Sequence, residues 1–194
     1  MSDGYGNQTE RVSKGVHANP DVATAILGGG CFWCTEAVFL SVRGVVSVMP
    51  GYCGGDVPEP DYYAVCSGRT GHIEVVKVEF NTAVIDYRTI LEIFFATHDP
   101  TTLNRQGADV GAQYASVIFY ADEYQRMVAE EVMAEVGAAL SRPVVTQLRS
   151  EATFWPAEPE HHNYYARHPS QGYCQAVIEP KLAKFRQRYR DWLR

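Results

Sequence analysis

The run Gly28-Gly29-Gly30-Cys31-Phe32-Trp33-Cys34 leads directly into a helix-compatible stretch, Thr35 to Leu40, which sets Cys31 at a helix mouth. Unpaired N–H groups and the macrodipole favour an anion there, and helix N-termini are among the places where a cysteine pKa falls. The expectation is a nucleophilic thiolate. The glycines let another molecule approach the sulfur closely, and Phe32 and Trp33 supply apolar surface beside it.

Cys34 lies one helical turn on, so both sulfurs share a face. Three chemistries use that spacing: a thioredoxin-like dithiol, half of a zinc site, or a nucleophile with an incidental neighbour. Zinc needs a second pair, and Cys53 and Cys66 are not matched in spacing. The plain alternative is two buried, inert thiols. Glu74 is the candidate acid. In His72 to Phe80 it shares a strand face with Val76, Val78 and Phe80, and a carboxyl partly removed from water keeps its proton to higher pH. The competing reading is a frayed strand end facing solvent. Tyr52, between Gly51 and Cys53, and Tyr114, closing Gly111-Ala112-Gln113, can each offer a phenol to a polar oxygen, although most such tyrosines pack or cap. Asp109 can orient a site group or form a turn. Cys174, on the Gly-bearing segment Ser170 to Cys174, can meet a distant oxidised thiol or stand alone. His161 and His162 diverge in direction within a helix, which favours packing or surface roles over metal binding.

The elements that position these residues are partly legible. Met1 to Asp21 reads as a mobile tail, and residues 22–194 as one domain. Strands are expected at Ala23 to Leu27, Val45 to Met49, His72 to Phe80, Ala115 to Tyr120 and Pro143 to Leu148. Pro50 to Gly71, dense in Gly, Pro and Tyr, is expected to be an irregular loop over the site. Helices are expected from Cys31 towards Gly44, from Arg88 to Thr97, after an Asp122 cap along the ladder Val128, Val132, Val136 and Leu140, near His161 to His168, and from Pro180 onward. Strands and helices mix without a regular βαβ rhythm, so the class is α+β.

Composition bounds the function. At 194 residues and 46% hydrophobic content the chain can bury one substantial core, and a net charge of -6 offers no field for nucleic acid or anionic lipid. No apolar run approaches a membrane span and the N-terminus lacks the order of a secretory signal, which suggests a cytoplasmic protein. Five cysteines, an odd number in a chain that needs no staples, favour catalytic or metal-binding sulfur.

Together these residues closely resemble the A-type peptide methionine sulfoxide reductases. The resemblance rests on Gly30-Cys31-Phe32-Trp33-Cys34, Gly51-Tyr52-Cys53-Gly54-Gly55, Gly71-His72-Ile73-Glu74, His98-Asp99-Pro100-Thr101-Thr102, Asn104 to Asp109, Gly111-Ala112-Gln113-Tyr114 and Gly172-Tyr173-Cys174. Cys34 stands where Gly is more usual, Ala108 where Asn is, Cys53 where Ala or Ser is, and His162 where Gln is. The family implies a two-layer α+β sandwich with a central mixed β-sheet flanked by helices and many long loops. It implies that Cys31 attacks the sulfur of the S epimer of methionine sulfoxide, that protonated Glu74 serves the oxygen, that Tyr52 and Tyr114 donate to that oxygen, and that Asp109 supports the pocket. Phe32 and Trp33 would enclose the S-methyl group. Cys31 would become a sulfenic acid, with Cys174 expected as first resolver and Cys34 as an alternative resolver or relay, before a thioredoxin-type reductant reopens the disulfide. Expected substrates are oxidised proteins or peptides and free methionine sulfoxide. No cofactor, metal, nucleic acid or membrane is expected, and the expected state is a monomer. From the residues alone, two rivals stay open: a general dithiol–disulfide oxidoreductase, and a zinc-structured interaction module using the cysteines and His161.

Overall fold

A computed structural model describes residues 21–194; the expected tail, save Asp21, lies outside the described residues. Chain order is β1 (Val22–Gly29), α1 (Phe32–Leu40), β2 (Val45–Cys53), α2 (Tyr62–Cys66), β3 (Ile73–Asn81), α3 (Tyr87–Ala96), β4 (Arg105–Gln106), β5 (Asp109–Val110), β6 (Ser116–Tyr120), α4 (Glu123–Ala139), β7 (Gln147–Ser150), β8 (Phe154–Pro156), α5 (Tyr164–Arg167) and α6 (Glu179–Arg188). A π-helical turn, Cys174–Ile178, leads into α6.

Six strands form one sheet in the order β7-β6-β1-β3-β2-β8. Every pairing is antiparallel except β6 with β7, so the sheet is mixed. The helices gather on one face. There Leu27, Val76, Val78, Phe80 and Ile118 of the sheet pack with Val38 and Phe39 of α1, Ile90, Leu91 and Phe94 of α3, Val132 of α4 and Leu182 of α6. The opposite face holds a smaller cluster, Ile26, Cys53, Ile73, Val75, Val117 and Phe119, covered by Ala152 and Phe154. The fold is therefore the expected α+β arrangement, and the alternation read in β3 is real: Glu74, Val76, Val78 and Phe80 face the helices and Ile73 and Val75 face away.

Helix starts follow the sequence. Asp86 and Asp122 accept from Thr89 N and Gln125 N, each satisfying an orphan donor of the first turn. Several expectations change, among them the strand expected at Pro143 to Leu148, which is found at Gln147–Ser150. The α1 helix stops at Leu40, and in α4 the buried positions are Gln125, Ala129 and Val132 while Leu140 is exposed beyond the helix end. The stretch expected to be loop from Pro50 is strand as far as Cys53, and α2 lies further along it. That strand is held by partners distant in sequence, β3 on one side and β8 on the other, which local glycine content cannot report.

Gly51 has a steric reason. A Cβ there would lie 2.5 Å from Trp155 O and 2.4 Å from the Phe154 ring. Gly51→Ala is expected to destabilise the protein by about 1–3 kcal/mol, the usual range for overpacking. The readout is a lower denaturant midpoint, and an unmoved midpoint would mean that β8 does not press on β2 this closely.

Candidate active site

The β1–α1 turn delivers Cys31. Gly30 has φ +96, a conformation that L side chains rarely adopt, and a Cβ there would meet Gln106 Cβ at 2.6 Å. Gln106 in turn ties both ends of its own loop, donating to Asp99 O at 3.0 Å and accepting from Asp99 N at 3.0 Å. Cys31 is the N-cap of α1, its carbonyl accepting from Cys34 N and Thr35 N.

The register of the sheet brings the acid to this turn. Tyr52 of β2 lies opposite Glu74 of β3, and Glu74 Oε2 accepts from Phe32 N at 3.0 Å. Glu74 is 1% exposed. Burial raises its pKa to about 8, with the charges of Asp109 and Cys34 adding to the rise and the Phe32 N–H opposing it. A carboxyl in that state carries a proton at neutral pH.

Cys31 departs from the expected low pKa. Burial pushes its thiol well up, and the bond to Cys34 and the charge of Glu74 push the same way. The local helix rule loses for a physical reason: the first free N–H of α1 is already given to Glu74. The lowered sulfur is Cys34, brought to about 7 first by its hydrogen bond with Cys31, against burial, with Lys181 and Tyr173 helping. Of the two thiols, Cys34 is therefore the one that gives up its proton first.

Tyr114 closes a short helical turn, Ala112–Tyr114, within electrostatic reach of Glu74 and Cys31, and burial raises its pKa. The Tyr52 hydroxyl donates to Glu158 Oε1 at 3.1 Å. Asp109 accepts from the Tyr173 hydroxyl at 2.6 Å, and that same hydroxyl lies 3.6 Å from Cys34 Sγ. Phe32 is buried beneath an aromatic layer, while half-buried Trp33 stacks on Tyr164 with centroids 3.7 Å apart and an interplanar angle of 5°. His161 completes the layer, its Nδ1 accepting from Trp33 Nε1 at 3.3 Å and its ring 4.4 Å from that of Tyr62. Cys174 is buried in the π-helical turn, where the charge of Cys34 acts on it; burial raises its pKa.

The fold thus gathers Cys31, Cys34, Glu74, Tyr114, Asp109 and Cys174. Sequence reasoning gives no role to Tyr173, although it stands in the Gly172-Tyr173-Cys174 motif, and none to Glu158, whose isolated carboxyl carries no local signal; the structure shows them holding Asp109 and Tyr52. Among the described residues, the one set of His, Cys, Asp and Glu atoms close enough to share a cation is Glu158, Glu160 and His161. It contains no cysteine, so the zinc module imagined from the cysteines and His161 is not assembled. No helix among the described residues is long and apolar enough to cross a membrane.

Comparison with known proteins agrees with this geometry. The family profile described as Peptide methionine sulfoxide reductase matches residues 23–193. The peptide methionine sulfoxide reductase MsrA of Chromobacterium violaceum is 58% identical over 167 residues, covering 85% of this chain and 95% of that protein. Among solved structures, reduced Mxr1 of Saccharomyces cerevisiae superposes with a TM-score of 0.74 at 30% identity, over 81% of this chain and 91% of that one. Mxr1 in complex with Trx2 shares the fold at a TM-score of 0.53 and 21% identity, over 79% of this chain and 92% of that one. A thiol pair at a helix start, a protonated buried carboxyl beside it and a family match across the whole described fold lead to one assignment: the chain belongs to the peptide methionine sulfoxide reductases.

Proposed function

We propose that this protein reduces the S epimer of methionine sulfoxide, in oxidised proteins or peptides and as the free amino acid, through a sulfenic acid on Cys31, with residues 22–194 acting as one catalytic domain. The observation that carries the reading is the Cys31–Cys34 pair set beside a Glu74 carboxyl that holds its proton near pH 7. Cys31 Sγ attacks the sulfoxide sulfur as its proton passes to Cys34. Glu74 gives its proton to the oxygen. Tyr114 donates to that oxygen as charge gathers on it, and Tyr52 joins once its hydroxyl turns from Glu158. The oxygen moves to Cys31 as sulfenic acid, and methionine departs with its electron pair restored. Trp33, with Phe32 behind it, shelters the methyl group. Asp109 holds Tyr173 and so the surroundings of Cys34.

For resolution the contacts favour Cys34 first, ahead of the Cys174 that family resemblance puts first. Cys34 lies one helical turn from Cys31 and its thiol is the one lowered, to about 7, whereas burial raises the thiol of Cys174. The Cys34 thiolate displaces hydroxide from the sulfenic acid, leaving a Cys31–Cys34 disulfide and, with a proton, water. Cys174, next to Cys34, can then take over the bond and free Cys31. A thioredoxin-type dithiol is the matching external reductant, in keeping with the yeast relative's complex with Trx2.

Incubation with each epimer of a blocked methionine sulfoxide and excess dithiothreitol, followed by chromatography, tests the function. The S epimer should be consumed and the R epimer left; equal consumption of both would contradict the epimer assignment. Cys174→Ser is expected to keep a full first turnover and to lower thioredoxin-driven cycling by about 10-fold or more, whereas Cys34→Ser should let a dimedone-reactive sulfenic acid persist on Cys31. An unchanged cycling rate in Cys174→Ser would remove the relay.

A further inference from the structure

A cavity of about 530 Å³ reaches Cys31 and Cys34 between the end of α3, the β4–β5 turn and α6. None of Phe32, Trp33, Tyr52, Glu74 or Tyr114 lines it, so it meets the sulfurs from a side different from the proposed sulfoxide pocket. The α6 wall contributes Lys181, Lys184 and Arg188. Among the described residues these three cations form no ion pair. Of the two carboxylates of the cavity, Asp99 is paired with Arg142, whereas Asp109 accepts from the neutral Tyr173 hydroxyl and keeps its charge, so three cations face one uncompensated carboxylate. On a chain of net charge -6 the result is a net positive wall on α6, with Lys181 acting electrostatically on Cys34.

Depth and size choose the visitor. Cys34 is 2%, Cys31 8% and Cys174 0% exposed, so the cysteine of a folded partner, a thioredoxin-type dithiol included, reaches these sulfurs only after α6 or its neighbouring loops move. A small molecule needs no such movement, and the volume lies within the ordinary range of small-molecule sites, about 300–1,000 Å³. Positive walls favour a carboxylate on that molecule and also favour its thiolate form.

We propose that this cavity is the entry site for an anionic low-molecular-weight thiol, one bearing a carboxylate, which reduces the protein disulfide at Cys34. The proposal rests on the reading that Cys34 takes part in the disulfide. The small thiolate attacks Cys34 Sγ, and the existing S–S bond breaks with its electron pair leaving on Cys31, or on Cys174 after the relay. That cysteine takes a proton and a mixed disulfide remains on Cys34. A second small thiolate attacks the visitor's sulfur in that mixed disulfide, releasing the Cys34 thiolate and the oxidised dimer of the small thiol. Two thiols lose two electrons, and the protein disulfide gains them.

Two measurements on the full chain test it. In the first, reduced protein is alkylated with iodoacetate and with iodoacetamide, and labelling of Cys34 is followed by mass spectrometry. Relative to a free thiol, the iodoacetate-to-iodoacetamide rate ratio should be about 10-fold higher at low salt, and should fall towards the free-thiol value at high salt and in Lys184→Glu/Arg188→Glu. Both substitutions are on exposed side chains of α6. In the second, sulfoxide reduction is driven by 3-mercaptopropionate or by 2-mercaptoethanol, each normalised to its rate with a small disulfide; the anionic thiol should be preferred, and the double variant should reverse the preference. Sulfoxide reduction with no charge preference would overturn the cavity's assignment. No reduction with either thiol would instead overturn the reading of Cys31, and the alkylation ratio would then decide by itself whether the cavity selects anions.

Discussion

Replacing Cys31 by serine is expected to reduce methionine formation to the uncatalysed background, both in thiol-driven cycling and in a single turnover. The reasons are chemical and local. The sulfoxide oxygen needs a soft nucleophile that can carry it as a sulfenic acid, and an alcohol oxygen cannot take that role. Cys34 is no substitute, because Glu74 is bound at the first turn through Phe32 N, beside position 31. The side chain is also nearly isosteric, so the helix start, which uses the Cys31 carbonyl rather than its sulfur, should survive. A folded Cys31→Ser protein that still released methionine stoichiometrically would move the nucleophile elsewhere.

Glu74→Gln should slow methionine release by about 10²-fold or more, the usual worth of a positioned acid. The pH profile separates this from a packing defect. Because the Glu74 pKa is raised to about 8, the acid form is present at low pH and is lost as pH rises through about 8. The Cys34 thiolate, which receives the Cys31 proton, is gained as pH rises through about 7. The wild-type rate of the first step should therefore be bell-shaped, with its maximum between about 7 and about 8. The amide has no proton to lose, so the alkaline fall should vanish in Glu74→Gln while the acid limb stays. A slow variant that keeps both limbs would mean that Glu74 only fills space.

The sequence reports these two residues unequally. Glu74 is legible because alternation along β3 puts it on the same face as Val76, Val78 and Phe80, and burial of that face is what raises its pKa. Cys31 is legible as a nucleophile through its glycines and the helix that follows. Its electrostatics are not, since the outcome depends on a carboxyl from β3 and a thiol from the next turn rather than on the helix alone. The glycine neighbours of Tyr52 suggest a loop, yet it belongs to a strand whose partners β3 and β8 lie far along the chain. β8 is three residues long and contains Pro156, too short to show any alternation. Tyr173 and Glu158 become meaningful only once the fold brings them to Asp109 and Tyr52.

Whether Cys31 takes the oxygen from a methionine sulfoxide is decided by mixing fully reduced protein with excess S epimer and no reductant, then quantifying methionine and mapping the oxidised cysteines by mass spectrometry. If Cys31 takes the oxygen, a rapid burst of one methionine per chain should leave a disulfide between Cys31 and Cys34, and its passage to Cys34 and Cys174 should free Cys31 for a second methionine, which leaves Cys31 as a sulfenic acid. No burst, or a burst with the thiol of residue 31 unmodified throughout, would contradict it.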